Sequence, residues 1–474
     1  MSAIFDNELN KKKCQKFTPE AVVNEMLDLA GYKNDLYGRL VLENSFGSGN
    51  ILSKIVIRYI KDCLSAKRLP EDISKGLSRD IYGVELDPEL YSACLTRLNE
   101  ILREYKLPSV KWSLFNENAL SWECDQRFDF IIGNPPYITY NDMDEDSRRI
   151  LREKFASCAN GKFDYCYAFI ERGIALLSNT GKLLQLVPAN IYKNVFGCNL
   201  RKLLLPHISY IKEFPEKKLF NDTLTSSTIF LYDNTCNVAN IEYVNATHNC
   251  KLDIARETLG EKWVFLPQEQ NKGEAIRFGD CFHASIVVAT LLNKAFLISP
   301  EEQRSIGIES AVVRRAASPK KMRSQTAEYI IFPYFYEDNE LRHYTPKEFE
   351  HRFPIATAHL NSFRVELNQR DIDNNVCWFE YGRTQALSRL SQPKLLISTV
   401  ITNNAEVYEL DAQTIPYAGI FITVKDERYT LSQAKNILKS AHFIQYVKTC
   451  GISVSGKSKR ITCKDINNYR FIKE

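Results

Sequence analysis

The chain has 474 residues, of which 44% are hydrophobic and 25% charged. That is enough for two or three domains and too evenly balanced for a disordered or low-complexity protein. No run approaches about 18 consecutive apolar residues, and Met1 to Lys13 is polar and then basic with no apolar core. Neither a membrane span nor a secretory signal is therefore expected, and a cytoplasmic location is. Thirteen cysteines are scattered along the chain without a C-x-x-C pair. Such a set reads as reduced thiols, and no metal site is expected. Residues 1–240 hold 31 Lys+Arg and 31 Asp+Glu, whereas 241–474 hold 31 against 27, so the net charge of +4 belongs to the second half. An excess there points weakly to a polyanionic partner.

In chain order, Arg39 to Glu43 is a short apolar run ending at an acid, followed by a glycine-rich turn. Ile51 to Ile60 has helical apolar spacing. Ile81 to Glu85 is a second strand, and Pro88 suits the first position of the next helix. Phe128 to Ile132 is a third strand, stopped by Gly133 and two prolines. A helix from Tyr167 to Leu177 leads through Gly181-Lys182 to the strand Leu183 to Val187. Strands alternating with helices predict an α/β, doubly wound, mostly parallel sheet. From about Asn234 the alternation is lost, and the polar run Asn234 to Asn237 places a domain boundary at 238/239. A mixed α+β domain should follow, with a helix near Leu431 to Tyr446.

Three places carry chemistry. In Glu43-Asn44-Ser45-Phe46-Gly47-Ser48-Gly49 the glycines let a ligand lie against the main chain at the carboxyl ends of the strands. An ordinary strand-to-helix turn has the same pattern. Leu52 stands where a dinucleotide fingerprint has its third glycine, which disfavours a pyrophosphate. Glu85 ends the second strand where an acid can accept from both hydroxyls of a ribose, so a nucleoside without phosphates is the expected ligand. The third place is Asn134-Pro135-Pro136-Tyr137. Two prolines stiffen the loop and remove two N–H donors, leaving the Asn134 side-chain carbonyl and main-chain carbonyls as acceptors. Such a set can hold a planar amino group by both its hydrogens, with Tyr137 offering a face for the ring to stack on.

Asn134 to Tyr137, with Phe46-Gly47-Ser48-Gly49 upstream, resembles the S-adenosylmethionine-dependent DNA adenine-N6 methyltransferases. The order of parts resembles their gamma group, the TaqI-like enzymes of restriction-modification or orphan type. The likeness covers about 16–235 closely and implies a class I, Rossmann-like methyltransferase domain followed by a target-recognition domain. It implies that Asn134, Pro135, Pro136 and Tyr137 are catalytic. It also implies that Phe17, Thr18 and Pro19, Glu43, Phe46, Gly47 and Gly49, Glu85 and Leu86, Asn118 and Ala119, together with Asn134, hold S-adenosylmethionine. Asp87 would join Leu86 beside the cofactor's adenine. Asn118 stands where the family usually has an acid, and Asn44-Ser45 replaces the commoner Pro-Ala. Phe196, one residue off the family's spacing, resembles the aromatic that sandwiches a flipped base with Tyr137; a core position is the other reading.

The same tetrapeptide occurs in enzymes that methylate protein glutamine amides, and an RNA adenine offers the same group. The 230-odd residues after the boundary favour double-stranded DNA. Arg314, Arg315, Lys320, Lys321 and Arg323, with Lys457, Lys459 and Arg460, form basic clusters suited to phosphates or to a solvated surface. Arg383, in Trp378 to Gln385, could read a base edge, whereas Trp378 itself reads as core. With little chain before Lys16, a fused nuclease is not expected, and a companion restriction endonuclease would be separately encoded.

Overall fold

The computed structural model describes residues 18–214, 226–246, 250–265, 275–338, 340–374, 376–455 and 458–472. It divides into two compact units, Met1–Glu269 and Gln270–Glu474.

The first unit is built on a nine-stranded sheet. Its strands are β1 (Val41–Glu43), β2 (Ile81–Val84), β3 (Ser113–Phe115), β4 (Phe128–Gly133), β5 (Leu177–Pro188), β6 (Ile208–Glu213), β7 (Ser227–Asp233), β8 (Asn240–Asn245) and β9 (Cys250–Ala255). The order is β3-β2-β1-β4-β5-β7-β6-β8-β9. β1 to β5 run parallel, and β7 is inserted antiparallel between β5 and β6. The helices are α1 (Glu20–Ala30), α2 (Asn50–Ser65), α3 (Pro70–Asp80), α4 (Pro88–Glu104), α5 (Glu145–Lys154), α6 (Cys166–Leu176) and α7 (Cys198–Leu204). The doubly wound, mostly parallel sheet is thus present.

The alternation of strand side chains divides the core. Val41, Ile132, Leu184 and Ile229 join α1 to α4 on one face. Leu42, Ile131, Leu183, Val187 and Phe230 join α6 and α7 on the other. These strands are apolar on both sides because both faces are covered. β5 begins well before the expected Leu183 and takes in Gly181-Lys182, since the strand is held from Leu177 by β4 and from Lys182 by β7.

The boundary expected at 238/239 differs from the division of the structure. β8 pairs parallel with β6 and antiparallel with β9, so the sheet runs past residue 238. The polar run at 234–237 is a turn feeding a further strand, where Asp233 accepts from the Thr235 N–H and hydroxyl.

The second unit is mixed α+β. An antiparallel four-stranded sheet contains Phe282–Ile286, Ile420–Val424, Lys394–Ile397 and Val407–Leu410, and a second four-stranded sheet contains Val313–Ala317. The single helix expected near 431–446 is two, Leu431–Lys439 and Ala441–Cys450. Ser440 between them is extended, and its hydroxyl accepts from the Phe443 N–H at 3.1 Å, starting the second helix. No helix among the described residues is long and apolar enough to cross a membrane.

Candidate active site

The turn after β1 is shaped by its glycines. Gly47 and Gly49 have φ of 54° and 83°, a region open to glycine at little cost. A Cβ on Gly49 would also lie 2.5 Å from Cys94 Sγ, whereas one on Gly47 would meet nothing within 4 Å. Gly49 therefore packs α2 against α4, and Gly47 faces open space. The Gly47 N–H donates to Glu85 Oε2 at 2.8 Å, and the Asp87 N–H to Oε1 at 2.9 Å. The two strand ends are thereby joined through one carboxylate.

Glu43 and Glu85 suit a cation-bearing nucleoside. Burial, and then the charge of Glu85, push the Glu43 carboxyl well above its usual range; burial is also the leading cause that raises Glu85. Glu43 Oε2 is buried and has no hydrogen-bond partner among the described residues. An ammonium group placed there would meet a charge that nothing else neutralises. Each Glu85 oxygen keeps a lone pair beyond its backbone bond, which a hydroxyl can use. Leu86 is exposed and Ala119 buried beside them. The Asn116 amide donates to the carbonyls of Glu85 and Leu86. Asn118 is used differently from expectation, because its carbonyl accepts from the Leu120 N–H at 3.0 Å. Its buried Nδ2 has no partner among the described residues. Asp87, expected against the adenine, caps α4 by accepting from the Glu89 and Leu90 N–H groups.

The Asn134 to Tyr137 lip leaves the end of β4 half-buried. Asn134 Nδ2 donates to Thr18 Oγ1 at 3.1 Å, and the Asn134 main-chain oxygen accepts from the Ser45 hydroxyl at 3.3 Å. The lip is thus fastened to the leading segment and to the glycine turn. Asn50 Nδ2 donates to the Thr18 carbonyl, and Arg97 donates to Asn50 Oδ1 at 2.8 Å. One chain of bonds runs from α4 to the lip. The contact with Thr18 anchors the Asn134 amide, with Nδ2 placed towards the hydroxyl. Burial raises the Tyr137 hydroxyl, with Ser227 as its hydrogen-bond partner. Pro19, which precedes α1, is half-buried; Phe17 lies outside the described residues.

Phe196 is not in the core. It is 42% exposed, and its ring rests on Gly161, where a Cβ would come within 2.0 Å of Cδ1. Sequence reasoning missed Ser45, Asn50 and the pair Asp164 and Asn190. Asn190 Nδ2 donates to Asp164 Oδ2 at 3.2 Å, and the neighbouring Tyr165 N–H donates to the Ile138 carbonyl at the foot of the lip. Burial pushes the Asp164 carboxyl up to about 6. Polar residues in loops leave no periodicity, so only their positions after strand ends could have marked them.

Residues 79–220 match the family model described as the Eco57I restriction-modification methylase. Over those residues the chain carries an Eco57I-type restriction-modification methylase domain. Curated relatives agree. The chain is 28% identical over 225 residues to the Type II methyltransferase M.BstVI of Geobacillus stearothermophilus, covering 44% of this chain and 40% of that one. It is 23% identical over 471 residues to the Type II restriction enzyme and methyltransferase RM.Eco57I of Escherichia coli, covering 80% and 46%. The chain spans less than half the length of these relatives. Among solved structures, the Type IIL restriction-modification enzyme MmeI superposes with a TM-score of 0.57 at 15% identity, covering 95% of this chain and 64% of that one. The methylase domain therefore has the class I methyltransferase fold.

The expected basic contacts of the second unit fall into two groups. Arg383 is held by Asp371 at 2.8 Å and Asp373 at 3.1 Å, Arg323 by Glu406 at 2.8 Å and Lys321 by Glu328 at 3.3 Å. Arg314 donates to the Ala311 and Val313 carbonyls, and Lys459 to the Ser453 hydroxyl. Arg315, Lys320 and Arg460 are exposed. Trp378 is half-buried rather than core, with the Arg364 guanidinium 3.8 Å from its ring centroid. Lys457 lies outside the described residues. Among the described residues no group of three or more His, Cys, Asp or Glu could hold a metal.

Proposed function

We propose that this chain is a site-specific DNA methyltransferase that acts on the exocyclic N6 of an adenine flipped out of double-stranded DNA. The observation that carries the reading is the Asn134 amide. It is anchored by Thr18, mounted on a two-proline lip, and fastened to the glycine turn through Ser45.

The residues fit S-adenosylmethionine. Glu43 would take its ammonium group, Glu85 its ribose hydroxyls, and Gly47 gives close approach to the main chain. Bound there, the cofactor supplies an electrophilic methyl group on a sulfonium.

The chain's own residues handle the amine. The Asn134 side-chain oxygen and the Pro135 carbonyl accept its two hydrogens, drawing the nitrogen towards tetrahedral geometry and bringing its lone pair out of the ring plane. Flipping the base costs a few kcal/mol, and stacking on Tyr137 and Phe196 returns about 1–3 kcal/mol per contact. Since the acceptors make their strongest bonds as charge develops on the nitrogen, they favour the transition state over the ground state.

The second unit is read as the target-recognition domain, with the exposed Arg315, Lys320 and Arg460 as its cations towards phosphates. A separately encoded endonuclease would be the companion in a restriction-modification pair. DNA incubated with labelled cofactor and digested to nucleosides should yield N6-methyladenine. Label in N4-methylcytosine, whose amine offers the same two hydrogens, would move the assignment to cytosine. Label only in RNA or in a glutamine amide would overturn the DNA reading.

A further inference from the structure

Behind the lip lie two amides that the proposed reaction does not use. Asn44 is 2% exposed and Gln185 fully buried. All four of their amide atoms lack a hydrogen-bond partner among the described residues. Gln185 lies on β5 and Asn44 in the turn just past β1, the two strands that flank β4. Gly133 pairs with Gln185, and Leu42 with Ile131, so two residues further along Asn44 stands level with Gly133. Side chains two apart on a strand share a face. Asn44 and Gln185 therefore continue the rows of Leu42 and Leu183, on the α6 side.

The residue between them has no side chain. A Cβ on Gly133 would meet only Asn44 Oδ1 at 3.5 Å and Glu43 Cγ at 3.7 Å. The space over Gly133 is open, with the Asn44 amide at its edge. The two amides are not hydrogen-bonded to each other among the described residues. A buried polar group left unsatisfied costs about 1–3 kcal/mol; two amides supply the two to four partners that an internal water needs.

We infer that Asn44 and Gln185 hold one or two buried water molecules over Gly133 and act as positioning residues for the lip. Gly133 is the last residue of β4 and immediately precedes Asn134. Ser45, next to Asn44, bonds the Asn134 main chain. Water bridging the two amides ties the ends of β1 and β5 together behind β4. It thereby fixes the height of the Asn134 amide between the glycine turn and the segment that bears Phe196. The positioning half of the inference rests on the methyltransferase reading; the water half does not.

High-resolution crystallography of the unaltered chain should show ordered water within hydrogen-bonding distance of both amides, and a dry slot would overturn the inference. Thermal unfolding of Asn44→Leu, Gln185→Met and the double variant tests the shared network. Each single change strands the other amide and should lower the first unit's midpoint by about 3 °C or more. The double change removes both demands and should recover much of that loss, whereas simple additivity would count against a common water. Gly133→Ala fills the slot at ordinary contact distances. Displacing the water strands both amides, so this variant should lower the midpoint at least as far as either single variant, keep cofactor affinity within about threefold, and lower kcat by about tenfold or more with KM little changed. Water present with kcat unmoved in Gly133→Ala would overturn the positioning role while leaving the methyltransferase reading intact. Absence of methylation by the unaltered chain would sink that reading without touching the crystallographic and thermal results.

Discussion

Asn134 and Thr18 stand 116 residues apart in sequence, and the Asn134 amide nitrogen donates to the Thr18 hydroxyl at 3.1 Å. This bond fastens the side chain of the lip to the leading segment. A hydroxyl both donates and accepts, so Thr18 serves as an anchor for the amide.

Asn134→Ala should lower turnover by about 10²–10³-fold, the range for losing one preorganised polar contact to a developing charge. Binding of cofactor, measured by calorimetry, should change little. Thr18→Val keeps the shape and removes the hydroxyl. We expect a loss of about tenfold in kcat with KM for DNA unchanged, and equal activity in single-turnover assays would refute the role given to Thr18.

Asp164 gives a dependence on pH with a definite sign. Its carboxyl is raised in the folded chain to about 6, above the usual value of about 3.9. The folded state holds the proton more tightly, so this group's stabilising contribution is complete below about pH 4 and is lost as pH rises through about 6. Asp164→Asn should therefore raise the melting midpoint at pH 7–8 and leave it nearly unchanged near pH 4. A gain confined to acid would contradict the burial argument.

Glu43→Gln separates stability from binding. Burial and Glu85 make an ionised Glu43 unfavourable in the ligand-free chain, so the neutral amide should raise the midpoint at neutral pH. The same change removes the charge that would meet an ammonium group, and the dissociation constant for S-adenosylmethionine should rise about tenfold or more. Tighter binding by the variant would exclude Glu43 from the cofactor site.

Among the basic residues of the second unit, exposed and paired cations should behave differently. Replacing Arg315, Lys320 and Arg460 together by Ala should weaken DNA binding and reduce the salt slope by up to about 0.9 per lost phosphate contact. Arg383→Ala should act first on stability, since it leaves Asp371 and Asp373 without their cation. Filter binding over a salt series and melting curves of the same variants distinguish the two behaviours.

Four of the five parallel strands were legible because they are apolar runs that end at or beside a glycine, an acid or a proline; β3, three residues from Ser113 to Phe115 with no such stop, was not expected. The glycine turn, Glu85 and the lip were legible for the same reason, as they interrupt those runs. Long-range pairing was less so. Nothing in the sequence around Asn240 says that β8 will lie beside β6, because that choice depends on an edge made by residues 208–213. Asn118 kept its position and changed its use, its carbonyl being taken by Leu120 two residues on. The cations of the second unit were visible as clusters. Their partners were not, since Asp371 and Asp373 meet Arg383, and Glu406 meets Arg323, only through folding.

The continuation of the sheet through β8 and β9 bears on how the methylase domain can be isolated. Trp263 stacks on Tyr192 with ring centroids 5.7 Å apart, and its N–H donates to the Tyr192 carbonyl. Arg201 donates to the Glu261 carbonyl. A fragment ended near residue 238 would bare the β6 edge and strip the underside of the segment that bears Phe196. Expression of an autonomous catalytic half should therefore extend through Phe265, and a shorter one invites strand-to-strand aggregation.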